Sequence, residues 1–196
     1  RTPTRVLADA GALGPKSTAV HATHLSDADI ALLASSRAGV CLCPTTERDL
    51  ADGIGPAGAL VGAGVPLSFG SDSQAVIDLF EEMRGAEMDE RLATNRRGNF
   101  VAPALLAAAT VVGPRALGWS DAGELAPGNR ADLVAVDLES ARTAACGASA
   151  ETVAFAATAA DVTDVVVDGR QIVRDRRHVT IDVGRALASS IAAARG

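Results

Sequence analysis

Ser17-Thr-Ala-Val-His-Ala22, Val40-Cys-Leu-Cys43 and Val65-Pro-Leu-Ser-Phe69 are three short apolar runs; the first ends around His21, the second in Cys43, and the third stops at Gly70-Ser-Asp-Ser73. Between the first two, Ser26 can cap a helix with Asp29 three residues later, ahead of Ile30, Leu32 and Leu33. That helix should stop before Gly39. Pro44 closes the second run, and Thr45 to Gly55 reads as a polar loop, followed by a short helix from Pro56 to Val61. The third run starts after Gly62 and Gly64. Strand, helix, strand, helix and strand in this order predict parallel βα units, whose reactive groups gather where strands end and loops begin. His21, Cys43 to Glu47 and Asp72 all stand at such ends.

Downstream, Asp78 to Leu92 is a charged amphipathic helix, with Leu79, Met83 and Leu92 expected inward and Glu81, Glu82, Arg84, Asp89 and Arg91 outward. Ala102 to Val112 predicts a more buried helix, with Pro103 where a first turn tolerates it. From Gly123 the pattern changes to strands, Ala131 to Leu138 and Asp164 to Arg174, with turn signals at Gly128-Asn129 and Asp168-Gly169. Val183 to Ala194 predicts a closing helix. Upstream, Val6, Leu7 and Ala10 read as the tail of an amphipathic helix, and Arg1 in place of Met suggests a piece of a longer chain. The expected division is 1–122, 123–181 and 182–196.

With 48% apolar and 21% charged residues in 196, the chain has the composition of a globular protein. A net charge of −6 argues against a nucleic-acid partner, which needs clustered Lys and Arg. The longest nearly uncharged run, Phe100 to Pro114, is too short and too broken to span a bilayer. No charged-then-apolar leader opens the sequence, and three cysteines do not make a disulfide framework, so a reducing cytoplasm is the expected location.

Asp72 follows an apolar strand between small neighbours, where a metal ligand or proton acceptor would be open to a cavity, and where a helix-capping aspartate would also fit. His21 ends a strand as either a site histidine or a hydrogen-bonded core residue. His24, three residues on, gives a weak His-x-x-His signal, and His178 lies in a charged hairpin at the surface. Cys41 and Cys43 are expected to point to opposite sides of their strand and to remain structural thiols without a metal. Gly53-Ile-Gly-Pro-Ala-Gly58 matches a dinucleotide fingerprint in spacing only, since no strand precedes it and Pro56 removes a backbone donor. These residues amount to a candidate carboxylate and histidine on a parallel barrel fragment, without naming a reaction.

Gly123-Glu-Leu-Ala-Pro-Gly-Asn-Arg-Ala-Asp-Leu-Val-Ala-Val-Asp137, with Ala108-Ala-Thr-Val-Val-Gly-Pro-Arg-Ala-Leu-Gly118 before it, resembles the C-terminal signature of the amidohydrolase superfamily. Val162 to Arg174 resembles the hairpin that completes the small β-sandwich of these enzymes. Within the superfamily, Val20-His-Ala-Thr-His-Leu25, Cys43-Pro-Thr-Thr-Glu47, Leu50-Ala-Asp-Gly-Ile54 and Gly70-Ser-Asp-Ser73 resemble the formimidoylglutamate deiminases of histidine degradation. The resemblance implies an α/β fold, the C-terminal part of a (β/α)8 metal-dependent hydrolase barrel, with the three runs as its sixth to eighth strands, plus part of a β-sandwich. It implies one Zn2+ per site, Asp72 as metal ligand and proton acceptor, and His21 as the catalytic group that orients the attacking water. It also implies a small-molecule amidine substrate, release of ammonia, and a homodimer or association with the N-terminal part. A first-strand His-x-His and a fifth-strand His with its acid would lie before Arg1. Gln74 stands where some members have His, and Asp49 where Asn is common. Arg48 is a conceivable partner for a substrate carboxylate, with a solvated loop arginine as the other reading. An aminohydrolase acting on guanine, adenosine-like or cytosine-like rings is the alternative within the superfamily, and a noncatalytic fragment the alternative outside it.

Overall fold

The computed structural model describes residues 1–72 and 76–196. Its elements follow from local chemistry. A short helix α1 (Pro3–Asp9) is capped by Thr2. Strand β1 (Thr18–Val20) leads into α2 (Asp27–Ser36), where Ser26 and Asp29 form a reciprocal capping box and Arg37 ends the helix in the left-handed region. Strand β2 (Gly39–Leu42), α3 (Pro44–Asp49), α4 (Ala57–Gly62) and β3 (Leu67–Phe69) complete the alternation. The strands pair in parallel in the order β1-β2-β3, with Ala19 opposite Val40 and Cys41 opposite Ser68. A parallel sheet is covered on both faces. All of β3 is accordingly buried, and Val40, Leu42, Leu67 and Phe69 join Ile30, Leu33, Leu60, Met83 and Leu105 in one core.

The polar segment after Pro44 is a helix at its start and not a loop. Pro44 sits at the first helical position with its φ already set, and Glu47 folds back one turn to take the Cys43 N–H at 2.8 Å.

Helix α5 (Leu79–Thr94) is capped by Asp78, and its facing differs from the amphipathic expectation. Met83 is buried, but Leu79 and Leu92 are exposed, whereas Glu82 and Glu87 are fully buried. The reason is backbone supply: the first turns of α3 and α4 and the segment after α5 present N–H groups that carbonyls do not reach, and carboxylates from α5 take them. Glu82 accepts from Thr45 N–H and hydroxyl, Glu87 from the Gly98 and Phe100 N–H groups, and Glu90 from Gly58 N–H.

Helix α6 (Ala102–Ala107) passes into a π-helical turn (Ala108–Val112) and then α7 (Gly113–Ala116), so the expected single helix is interrupted. Gly123 follows with φ +88°, and a Cβ there would collide with the Thr110 carbonyl, which explains the glycine that opens its signature stretch. Arg130 from the same stretch lies 4.5 Å over the Trp119 ring. Strands β4 (Leu133–Val136), β5 (Val162–Val167), β6 (Arg170–Arg174) and β7 (Arg177–His178) form a separate antiparallel sheet in that order, with α8 (Ala150–Phe155) inserted between β4 and β5. Asp168-Gly169 makes the expected turn. Helix α9 (Val183–Arg195) closes the chain with no residue buried. No helix among the described residues is long and apolar enough to cross a membrane.

Candidate functional site

Parallel pairing sends β1, β2 and β3 to one end, and the residues just past each strand meet there. His21 continues the ladder by donating its N–H to the Cys41 carbonyl at 2.8 Å, and then turns sharply, with φ +64° at His21 and +53° at Ala22. Asp72, also left-handed at φ +50°, follows β3 by three residues. Non-glycine residues enter this region at a cost, and several at one strand end mark a locally constrained mouth. The His21 imidazole reaches both sides of it. Its Nε2 lies 3.6 Å from Asp72 Oδ2 and its Nδ1 3.3 Å from Glu47 Oε1. The His21 and Asp72 side chains are 32% and 38% exposed, so the space they share is open to solutes, while Glu47 beneath is 6% exposed.

Burial raises the Glu47 carboxyl above its ordinary range, opposed by the Cys43 N–H and by His21. Glu82, one helix away, is raised by burial and opposed by Thr45. Thr46 anchors the same helix turn to the Ser71 carbonyl at 3.1 Å, which ties the end of β2 to the residue before Asp72.

The cysteines depart from expectation. Residues two apart on a strand share a face, and Cys41 and Cys43 do so: both sulfurs lie under Gly70, where a Cβ would sit 3.3 Å and 3.5 Å from them. A thiol-thiol hydrogen bond draws the Cys41 pKa down and, with burial, pushes Cys43 up. Both are free cysteines. Arg48 is exposed on α3, where it pairs with Asp89 at 3.1 Å and Glu81 at 3.2 Å. His24 is exposed. His178 is in β7, part-buried, with Nδ1 accepting from the Thr180 and Ile181 N–H groups. Gln74 and Ser73 lie outside the described residues.

The sequence reading noted Glu47 only as part of a strand end and gave it no role. The available signal was Pro44-x-x-Glu47: a helix begun by proline sets a carboxylate one turn in, within reach of whatever the preceding strand end presents.

An imidazole nitrogen and a carboxylate oxygen facing one open space are donors of the kind zinc takes. Among the described residues no group of three or more His, Cys, Asp or Glu converges. The donor chemistry of His21 and Asp72 is of the kind that fits zinc.

Comparison with known proteins shows the same fold and a family. Residues 1–172 match the family model described as Amidohydrolase family. A 5-methylthioadenosine/S-adenosylhomocysteine deaminase of Pelotomaculum thermopropionicum is 32% identical over 192 residues, 96% of this chain and 44% of the relative. A 5'-deoxyadenosine deaminase of Methanosarcina mazei is 32% identical over the same coverage. A crystal structure of an adenosine deaminase from Xanthomonas campestris with bound zinc superposes with a TM-score of 0.91 at 33% identity, covering 97% of this chain and 44% of that one. The chain thus spans less than half the length of these relatives. The family match over most of its residues, together with the parallel strand ends that gather His21 and Asp72, leads to one conclusion: the chain belongs to the amidohydrolase family.

Proposed function

We propose that the full protein is a hydrolytic deaminase that attacks an amidine-type carbon and releases ammonia, with an adenosine-like nucleoside as its substrate. The observation that carries this reading is the His21–Asp72 pair at the mouth of the parallel strands, 3.6 Å apart and accessible. The relatives' names support the substrate class. Both adenine C6 with its amine and a formimino carbon are amidine centres, so the chemistry is the same for the ring substrate and for N-formimidoyl-L-glutamate. The resemblance of Cys43 to Glu47 and Leu50 to Ile54 favours the latter as a second reading; the deaminase relatives put the ring substrate first.

A zinc ion, when bound, supplies Lewis-acid polarisation and lowers the pKa of a water toward ~7. Asp72 would be a ligand from this chain, and its carboxylate would take the proton that the attacking water gives up. His21 Nε2 faces the same space and would accept a hydrogen from that water, which orients it for attack. Asp72→Ala in the full-length protein should remove zinc and turnover together. His21→Ala should keep most of the zinc and lose about 10²-fold or more in kcat. Metal analysis beside ammonia release measures both, and full zinc retention by Asp72→Ala would exclude its ligand role. Ammonia release from 5'-methylthioadenosine, S-adenosylhomocysteine, adenosine, N-formimidoyl-L-glutamate, guanine and cytosine decides the substrate. The adenosine-like compounds should give the highest kcat/KM; preference for N-formimidoyl-L-glutamate would move the assignment to the second reading.

A further inference from the structure

We infer that Glu47 is a positioning residue that holds the His21 ring with its proton on Nδ1, leaving the Nε2 lone pair turned toward Asp72 and the reacting water. The inference deepens the reading of His21 as a site residue and rests on it.

The argument is one of donors and acceptors. Glu47 Oε1 lies 2.8 Å from the Cys43 backbone nitrogen, and a backbone N–H can only donate. Oε1 is therefore an acceptor in that contact. If the buried carboxyl takes up a proton, Oε2 is the better place for it, because Oε1 already accepts the Cys43 N–H and a protonated oxygen is the weaker acceptor. The same Oε1 lies 3.3 Å from His21 Nδ1. An oxygen without a proton can meet Nδ1 only if Nδ1 carries the hydrogen. The neutral ring then has its lone pair on Nε2, and Nε2 lies 3.6 Å from Asp72 Oδ2. Two acceptors are thus turned toward one space, which suits a water donating two hydrogens or a cation.

The scaffold keeps Glu47 in place. Its own N–H is held by the Cys43 carbonyl at 2.9 Å, and the Asp52 N–H binds its carbonyl at 2.9 Å. The side chain is buried against a helix start whose direction Pro44 fixes. His21, by contrast, sits on a left-handed turn, and among the described residues its Nδ1 has no hydrogen-bond partner besides Glu47. A carboxylate behind a histidine that faces a metal or water is a recurrent way to set ring tautomer and orientation.

The test uses the full-length protein with 15N-labelled histidine, both metal-free and zinc-loaded, at a pH where the ring is neutral. Two-bond 15N–1H correlations report which nitrogen of His21 holds the proton, with His21→Asn identifying the resonances. Wild type should show Nδ1–H. Glu47→Leu should shift the ring toward Nε2–H, and kcat should fall about 10- to 100-fold with KM little changed. Glu47→Gln, which keeps an acceptor oxygen and a similar shape, should retain Nδ1–H and recover much of kcat, and it carries the test should Glu47→Leu not fold. Nε2–H in the wild type, or an unchanged tautomer in folded Glu47→Leu, would overturn the inference. If wild type shows Nδ1–H yet deaminates none of the adenosine-like compounds, the substrate reading fails and the role of Glu47 stands.

Discussion

Asp161 shows how one carboxylate can serve two neighbours. It is fully buried, takes Arg142 in a two-point contact at 2.6 Å and 3.0 Å, and receives the Thr158 N–H at 2.9 Å. Arg142 holds its carboxyl well below the usual carboxylate range, against the opposing effect of burial. A carboxyl whose folded pKa is depressed stabilises the fold above its unfolded pKa of about 3.9, and that contribution is lost as pH falls toward the folded value. Asp161→Asn should therefore unfold more easily than wild type at neutral pH, with the gap closing below about pH 4. Thermal unfolding of both proteins between neutral and acid pH checks this, and a gap independent of pH would mean that shape, not charge, sets the cost. This ion pair left no mark in the sequence, because Arg142 and Asp161 are joined only by the fold. His21 and Asp72 were legible for the opposite reason: each stands at or just past the end of an apolar strand, so their placement depends mainly on strand direction. Cys41 and Cys43 show the limit of that logic, since the period of a strand puts residues two apart on the same face and not on opposite ones.

At the scale of elements, α5 carries the largest surprise. An amphipathic reading sorts residues by hydropathy, and it places Glu82 in solvent; Glu82 and Glu87 are both fully buried, because they satisfy backbone donors of other segments. Glu87 is pushed up by burial but drawn down overall by Arg91 and by the N–H groups of Phe100 and Gly98, at 2.7 Å and 2.8 Å for the two N–H contacts. Truncation by Glu87→Ala strands both N–H groups and a guanidinium. The expected loss is about 3 kcal/mol or more, larger than most single substitutions. Urea unfolding should show a lower midpoint with an unchanged slope; a loss within about 0.5 kcal/mol would mean that water replaces the carboxylate. Strand and helix order was legible because apolar period and capping residues are local. The α3 helix was not, since Pro44-Thr-Thr-Glu47 has polar loop composition and its helical state depends on Thr45 meeting Glu82 and Thr46 meeting Ser71.

Taken whole, the molecule exposes surfaces and donors that call for company. Among the described residues, β1 and β3 have a strand partner on one side only. Val183, Leu187 and Ile191 line one stripe of α9 and are all exposed, and Leu117, Leu125 and Val134 add apolar surface elsewhere. Unpaired strand edges and exposed apolar stripes favour association. Metal affinity is limited by a different count. A catalytic zinc takes about three protein ligands plus water, whereas His21 and Asp72 are the two groups that face the open mouth here. At most two donors, Asp72 and at best His21, hold only an exchangeable ion. The 196-residue chain on its own should therefore retain well under a full equivalent of zinc after gel filtration and should elute as associated species. Light scattering on the eluate, with elemental analysis of the same fractions, measures both properties together. A monomer that keeps a full equivalent of zinc through chelator washing would show that the mouth of β1 to β3 is a complete metal site, and the ligand count argued from His21 and Asp72 would be wrong.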